Sequence, residues 1–288
     1  MLTMTPPLIP LHPPGNHDPI PLTNLYRDLP LPRGDDRLYV YGNFVTSLDG
    51  RIALGDGLPA QTVPGSIANR RDWRLFQELA ARADILLSSG RYFRDLQAGR
   101  AQDILPLGTD YGDLVAWRQD QGLPGQPDVV VLSATLDFPL PELLFRQGRR
   151  VWVATVTGAS PRARDRLERQ GATVIDCGAG PRVDAARLTR HLAAEGYRRA
   201  YSVTGPWVMH ELLRAGVLES LFLTHRLRIV AGADYATITE GPVLAPPADF
   251  DLVHLYLDRE GDGRAGQLFA RYDRRSGPGP VTSESRPG

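Results

Sequence analysis

The chain has 288 residues, 42% of them hydrophobic and 23% charged, which supplies a sizeable buried core and excludes a largely disordered chain. Its 33 basic residues balance 33 acidic ones, so no net positive field draws it to nucleic acid or anionic lipid. Every basic residue is an arginine, which excludes Schiff-base chemistry and a lysine general base. The single cysteine, Cys177, excludes an intramolecular disulfide and has no zinc-site spacing around it.

Prolines crowd residues 1–20 without periodic apolar pattern, which predicts an extended arm, and 274–288 reads as a similar tail. Residues 22–29 fit a short helix capped by Thr23, with Leu25, Tyr26 and Leu29 on one side to pack against a neighbouring subunit. Residues 38–45 are strand-like and deliver their end to the turn Ser47-Leu48-Asp49-Gly50, then to a Gly/Pro-rich loop at 55–65. Asn69 is placed to cap a helix through Ala81, in which Trp73, Phe76, Leu79 and Ala80 recur at helical spacing. A short strand at 84–87 and a turn at Gly90 follow.

The β-branched runs 129–132, 151–156 and 173–175 read as strands, with helices at 160–170 and 184–195 between the later ones. Next come a strand at 200–203, the turn Thr204-Gly205-Pro206, a helix at 207–215 and a strand at 220–227. Strand alternating with helix implies a mixed, mostly parallel sheet with helices on both faces, an α/β fold of three layers. Residues 252–257 and 267–272, joined by a Gly/Asp-rich turn at 259–266, predict a C-terminal antiparallel hairpin finishing that sheet. No linker or repeat interrupts the rhythm, which gives one domain at 35–273 between an arm at 1–34 and a tail at 274–288. No apolar run is long enough to cross a bilayer and no signal-peptide pattern opens the chain, so a cytoplasmic protein is expected.

The sharpest local signal is Thr204-Gly205-Pro206 between strand and helix. Glycine permits close backbone approach and a helix N-terminus offers free N–H groups to phosphate, although such a turn is more often plain connection. Ser47, Ser133 and Thr157 put hydroxyls at strand ends, where open α/β sheets bind ligands; singly, each also reads as a cap bonding its own backbone. Asp49 reads equally as a buried acid or as a turn-former accepting local N–H bonds. The histidines, including His191, His210, His225 and His254, show no metal-ligand spacing, and no hydrolase elbow, metalloprotease helix, Walker loop or Gly-x-Gly-x-x-Gly fingerprint appears.

Taken together, Asn43-Phe44-Val45-Thr46-Ser47-Leu48-Asp49-Gly50-Arg51-Ile52-Ala53 resembles the opening signature of the C-terminal reductase domain of the bacterial bifunctional riboflavin enzyme. The likeness continues in order through Asn69-Arg70-Arg71-Asp72, Ala83-Asp84-Ile85-Leu86, Val130-Val131-Leu132-Ser133, Val183-Asp184, Gly205-Pro206 and Leu213-Arg214-Ala215-Gly216. The resemblance implies a dihydrofolate-reductase-like fold, a homodimer, and NADPH bound along the carboxyl ends of the strands. Hydride would pass to the imine form of a phosphoribosylamino-pyrimidine, with no dedicated catalytic side chain and no metal.

By position, the cofactor candidates are Thr46, Ser47, Arg91, Asp95, Ser133, Thr157, Gly205, Pro206, Trp207, Val208 and Met209. The substrate candidates are Asp49, Asn69, Arg91, Asp95 and Val203. This sequence departs from the family pattern at Val203, where a Glu is usual, at Arg91, where a Thr is usual, and at Ala80, where an Arg is usual. Arg91, with Arg51 or Arg94, offers a planar fork to phosphate and reads equally as a solvated surface arginine. No deaminase zinc signature precedes the domain, so a stand-alone reductase is expected. The same cofactor chemistry on another heterocyclic or carbonyl substrate, and nucleotide binding without turnover, are the competing readings.

Overall fold

Buried parallel strands need apolar side chains on both faces, and the β-branched runs supply them. In the computed structural model, which describes residues 6–15, 17–32, 37–55, 63–105, 107–259 and 265–275, the elements in chain order are as follows. The first part holds β1 (Ile9–His12), α1 (Leu25–Asp28), β2 (Tyr39–Ser47), β3 (Ala53–Leu54), α2 (Arg70–Arg82), β4 (Ile85–Ser89), α3 (Gly90–Gln97) and α4 (Gly112–Asp120). The middle holds β5 (Asp128–Leu132), α5 (Glu142–Arg146), β6 (Val151–Thr155), α6 (Pro161–Arg169), β7 (Thr173–Asp176) and α7 (Ala185–Ala194). The last part holds β8 (Arg199–Ser202), α8 (Pro206–Arg214), β9 (Leu218–Arg226), β10 (Tyr235–Ala236), β11 (Phe250–Asp258) and β12 (Gln267–Arg274).

Ten strands form one sheet in the order β1-β11-β12-β9-β2-β8-β4-β5-β6-β7, parallel from β9 to β7 and antiparallel from β9 to β1. Alternate residues of each strand feed two separate cores. Val129, Val131 and Val153 join Leu75 and Leu79 of α2, Phe93 of α3, Leu114 of α4, Leu144 of α5 and Leu167 of α6 on one face. Val130, Leu132 and Ala154 join Leu188 and Leu192 of α7 and Met209 and Leu212 of α8 on the other. The expected three layers are therefore present, and among the described residues no helix is long and apolar enough to cross a membrane.

Several local expectations are corrected. Thr23 does not cap α1; Asn24 stands at the cap with φ 71°, and the leading amides of Asn24, Tyr26 and Arg27 donate to the buried carboxylate of Glu78 on α2 instead. The segment thereby packs on its own chain, with the Tyr26 ring 4.8 Å from that of Phe222. Gly90 is not a turn but the first residue of α3, capped by Ser89. In the described part of the Pro-rich arm, the Ile9–His12 stretch is the outermost strand, paired with β11; an edge position suits Pro10, which has no N–H to donate. The C-terminal pair is antiparallel as expected, but β12 is inserted between β9 and β11 rather than ending the sheet. Most of the 55–65 loop, most of the 259–266 turn and the tail beyond residue 275 lie outside the described residues.

One feature of the sheet sets the end of β2 apart from its neighbour β8. Strand β2 pairs with β8 only from Tyr39 to Gly42, then runs on to Ser47 with β9 alone beside it. At Gly42 a Cβ would come within 2.7 Å of the Met209 Cε, so glycine lets α8 close on β2 just where β8 ends. Beyond that point β8 no longer pairs with β2, whose end at Ser47 keeps β9 as its strand neighbour.

Candidate functional site

The carboxyl ends of the parallel strands carry two clusters of candidate residues. The first surrounds a cavity of about 320 Å³ lined by Ser89, Gly90, Arg91, Arg94, Leu132, Ser133, Ala134, Thr135, Gly205, Pro206, Trp207 and Val208. Two helix N-termini, those of α3 and α8, line it. Gly205 caps α8 without any side-chain bond, and Pro206 fills the first helical position, where no N–H is needed. The following amides of α8 are thus left for an anion or water, and the positive end of the helix dipole favours the anion.

The floor is tight. Ser133 turns its hydroxyl back to accept from the Leu136 N–H at 3.1 Å, and Gly90 packs against it. A Cβ at Gly90 would meet Phe138 Cδ1 at 2.9 Å and Ser133 Oγ at 3.0 Å, with Ser133 Cβ at 3.2 Å. Gly90→Ala is therefore expected to destabilise the fold by about 1–3 kcal/mol through overpacking. It should also weaken binding of any ligand held by Arg91 and Ser133 by about tenfold, as contacts are displaced a few tenths of an ångström. Denaturation together with ligand titration of the variant checks both; wild-type values for the two would show that the floor is pliable.

Around the cavity, Arg94 is anchored, donating to Asp137 O at 2.6 Å, whereas Arg91 is 56% exposed and among the described residues pairs with Asp95, at 3.6 Å. Trp207 keeps 47% of its surface exposed, and the Arg182 guanidinium stacks 4.8 Å from its ring centre, held there by Glu211 at 2.8 Å. The cavity thus combines a half-exposed cation, hydroxyls, amides without a cap and an exposed aromatic plate. These groups suit a phosphate-bearing, planar-ringed ligand.

The second cluster lies where β2 ends. Ser47 Oγ donates to Asp49 Oδ1 at 2.5 Å, the amides of Ala231 and Val230 donate to the same carboxylate at 2.9 and 3.4 Å, and Arg51 pairs with it at 2.9 Å. The Ser47 hydroxyl, then these backbone amides, hold the Asp49 carboxyl at about 2. Neither reading holds in full: the carboxylate is not buried, and beside the local Ser47 and Arg51 it accepts its N–H bonds from Val230 and Ala231, in the distant connection after β9. Thr46 Oγ1 donates to Ser47 O at 3.0 Å and is buried.

Asn69 caps α2, accepting from Arg71 and Asp72 N–H, and its amide also meets Gln267 at 2.8 Å. Beneath it runs a buried polar network in which Arg71 donates to Asp258 at 2.6 Å, Gln267 to Asp258 at 2.8 Å and Arg226 to Gln267 at 3.2 Å.

The cavity therefore brings together Arg91, Ser133, Gly205, Pro206, Trp207 and Val208. Thr46, Ser47, Asp49 and Asn69 stand apart from it at the β2 end. Asp95 lies a turn along α3, taken up by Arg100 at 2.8 Å. Thr157 donates to Gly178 O at 3.2 Å beyond β6, Met209 is buried against Gly42, and Val203 packs on the core with its N–H bonded to Leu87 O. Ser89, Ala134 and Thr135 line the cavity without having been candidates. Their signal is placement alone, each being next to a strand end already singled out. Burial pushes the Cys177 thiol up to about 11, so it is neutral and unreactive at ordinary pH.

No curated protein matches the chain. A pyrimidine reductase-like protein of Corynebacterium diphtheriae superposes with TM-score 0.63 at 20% identity, over 86% of this chain and 96% of that one. RibD of Acinetobacter baumannii superposes with TM-score 0.57 at 18% identity over 84% of this chain, which spans 59% of that protein's length. The riboflavin biosynthesis reductase Rib7 of Saccharomyces cerevisiae gives TM-score 0.52 at 15% identity, covering 85% and 93% of the two chains. The mixed sheet between helices, with its antiparallel end, is the architecture that the resemblance implied. The family model described as the RibD C-terminal domain matches residues 38–259, from the start of β2 to the end of β11, and the chain belongs to that family.

Proposed function

We propose that this chain is an NADPH-dependent reductase that reduces a phosphoribosylamino-pyrimidine of riboflavin biosynthesis in the cytoplasm. The observation that carries the reading is the cavity between the N-termini of α3 and α8, where uncapped amides, Arg91 and Ser133 converge beside the exposed Trp207. The Gly205–Val208 turn and Ser133 would hold the phosphates and ribose, and NADPH, when bound, supplies the hydride. The pyrimidine would lie beside the part of β2 beyond Gly42, which β8 does not pair. With Val203 where the family pattern has a carboxylate, no side chain of this chain is assigned a proton at the reacting atoms. Positioning and desolvation carry the rate.

A homodimer fits the antiparallel end of the sheet, where Leu252, Leu255 and Leu257 of β11 share one face with Leu268 and Tyr272 of β12 and all stay partly exposed. A second copy would cover that face, and sedimentation reads the outcome directly.

The test of the main reading is titration of the purified protein with NADPH and NADH, followed by nicotinamide fluorescence, and then oxidation of the bound dinucleotide on adding 5-amino-6-(phosphoribosylamino)uracil. Binding with oxidation is expected. Binding without oxidation would transfer the chemistry to another heterocyclic or carbonyl substrate, or leave a nucleotide-binding relative without turnover. Absence of binding sinks the cofactor assignment.

A further inference from the structure

The connection between β9 and β11, residues 227–249, bonds both to the turn that follows β2 and to the start of α8. It is mostly exposed, and Ala236 is its one buried residue. Its apolar contacts are few, Ala236 and Ile238 with Ile52 and Ala53, and Ile238, Leu244 and Ala248 half-buried against the core, so the hydrogen bonds at its two ends weigh heavily in fixing its path. At one end those bonds go to the β2 turn. Leu48 N–H donates to Arg228 O at 2.8 Å, the amides of Val230 and Ala231 donate to Asp49, Ile52 N–H donates to Ala236 O at 3.0 Å, and Gly55 N–H to Asp234 O at 3.0 Å. The pairing of β10 with β3 and the Arg51 guanidinium 4.3 Å over the Tyr235 ring complete this anchor.

At the other end the bonds go to the start of α8. Glu240 N–H donates to Pro206 O at 3.3 Å, and His210, 3% exposed, bonds through Nε2 to Pro242 O at 2.7 Å. Gly241 lies flat on the imidazole, for a Cβ there would fall 2.5 Å from His210 Cγ and Cδ2.

We propose that residues 227–249 are a tie between the β2 turn and α8, and that His210 and Gly241 are positioning residues that set where the Gly205–Val208 turn stands relative to the Ser47–Arg51 turn. The proposal rests on reading the Gly205–Val208 turn as the loop that holds the cofactor. Neither His210 nor Gly241 lines the cavity, so both act through the tie. Nothing in the hydrophobic patterning requires a histidine inside α8 or a glycine opposite it. The pair makes sense as a flat contact that brings the connection down onto the helix end.

The test compares wild type with His210→Gln, which keeps a donor for Pro242 O, His210→Ala, which removes it, and Gly241→Ala, which lifts the tie without altering α8. Hydrogen exchange is followed at Leu48 and Ile52, the amides bonded to the far end of the tie, with Val131 in the core as reference. NADPH affinity is measured on the same samples. Release of the tie at α8 is expected to speed exchange at Leu48 and Ile52 by about tenfold in His210→Ala and Gly241→Ala, with Val131 unchanged and His210→Gln close to wild type. NADPH affinity should fall by a similar factor in the first two and recover in the third.

If Leu48 and Ile52 keep wild-type exchange while only α8 amides quicken, the two ends are not coupled and the proposal is overturned. If wild type itself binds no NADPH, the reductase reading fails, and the exchange at Leu48 and Ile52 still decides for or against the tie. Should His210→Ala not fold, Gly241→Ala carries the comparison, since it leaves the imidazole in place.

Discussion

Replacing Arg118 by Ala is expected to cost about 4 kcal/mol of stability, from two buried carbonyls and one partly buried carbonyl losing their donors at roughly 1–3 kcal/mol each. Arg118 on α4 is 0% exposed and donates to Ala81 O at 2.7 Å, Ala83 O at 2.6 Å and Pro124 O at 2.7 Å. It therefore closes the C-terminal end of α2 and the exit from α4 with one planar group. Burial pulls its guanidinium down to about 10, which leaves it charged at neutral pH and still facing the negative end of the α2 dipole. Lysine should not restore the loss, because one ammonium cannot reach the separate carbonyls that the fork spans. Chemical denaturation of the Ala and Lys variants measures both effects, and a loss under about 1 kcal/mol in either would mean that water satisfies those carbonyls.

Asp72→Asn is expected to stabilise the protein at pH 7–8 by about 3 kcal/mol, the value of a carboxyl moved some two units at 1.36 kcal/mol per unit. Burial pushes this carboxyl up to about 6 from its ordinary 3.8, against the opposing pull of Thr224 and Arg226. Its Oδ1 has no hydrogen-bond partner. The folded state holds the proton more tightly than the unfolded state, so ionisation works against folding. That penalty is complete above about pH 6, shrinks as the pH falls toward 3.8, and is absent below it. The stability difference between variant and wild type should follow the same course. A difference equal at pH 8 and pH 4 would show that the gain has nothing to do with charge.

The parallel half of the fold was legible because its strands are buried on both faces and so read as uninterrupted β-branched runs, as Val129 to Leu132 do. Helix α3 was hidden by its own cap: Ser89 ends a strand and Gly90 begins the helix, so strand, cap and first turn share residues that read as loop. Helix α4 shows no amphipathic stripe, since its buried residues are Leu114 and an arginine whose role depends on carbonyls some 35 residues upstream. Strand β1 was masked by Pro10. At the site, Gly205 and Ser133 could be placed by strand ends alone. The partners of Asp49, by contrast, lie about 180 residues away in a connection with no periodic pattern to announce it.

The likeness to the family begins at residue 38, but the folding unit begins earlier. Pro6 O accepts from Arg71 at 2.8 Å, Leu8 is fully buried, β1 covers the side of β11, and Glu78 spends its buried carboxylate on amides of residues 24–27. A recombinant fragment trimmed to the matched boundary would present β11 as a bare edge and leave Glu78 with Arg74 alone. Such a fragment is expected to associate edge to edge in solution, whereas one starting before Pro6 should not. For expression and crystallisation, the boundary that matters is therefore the one set by backbone pairing and not the one set by sequence likeness.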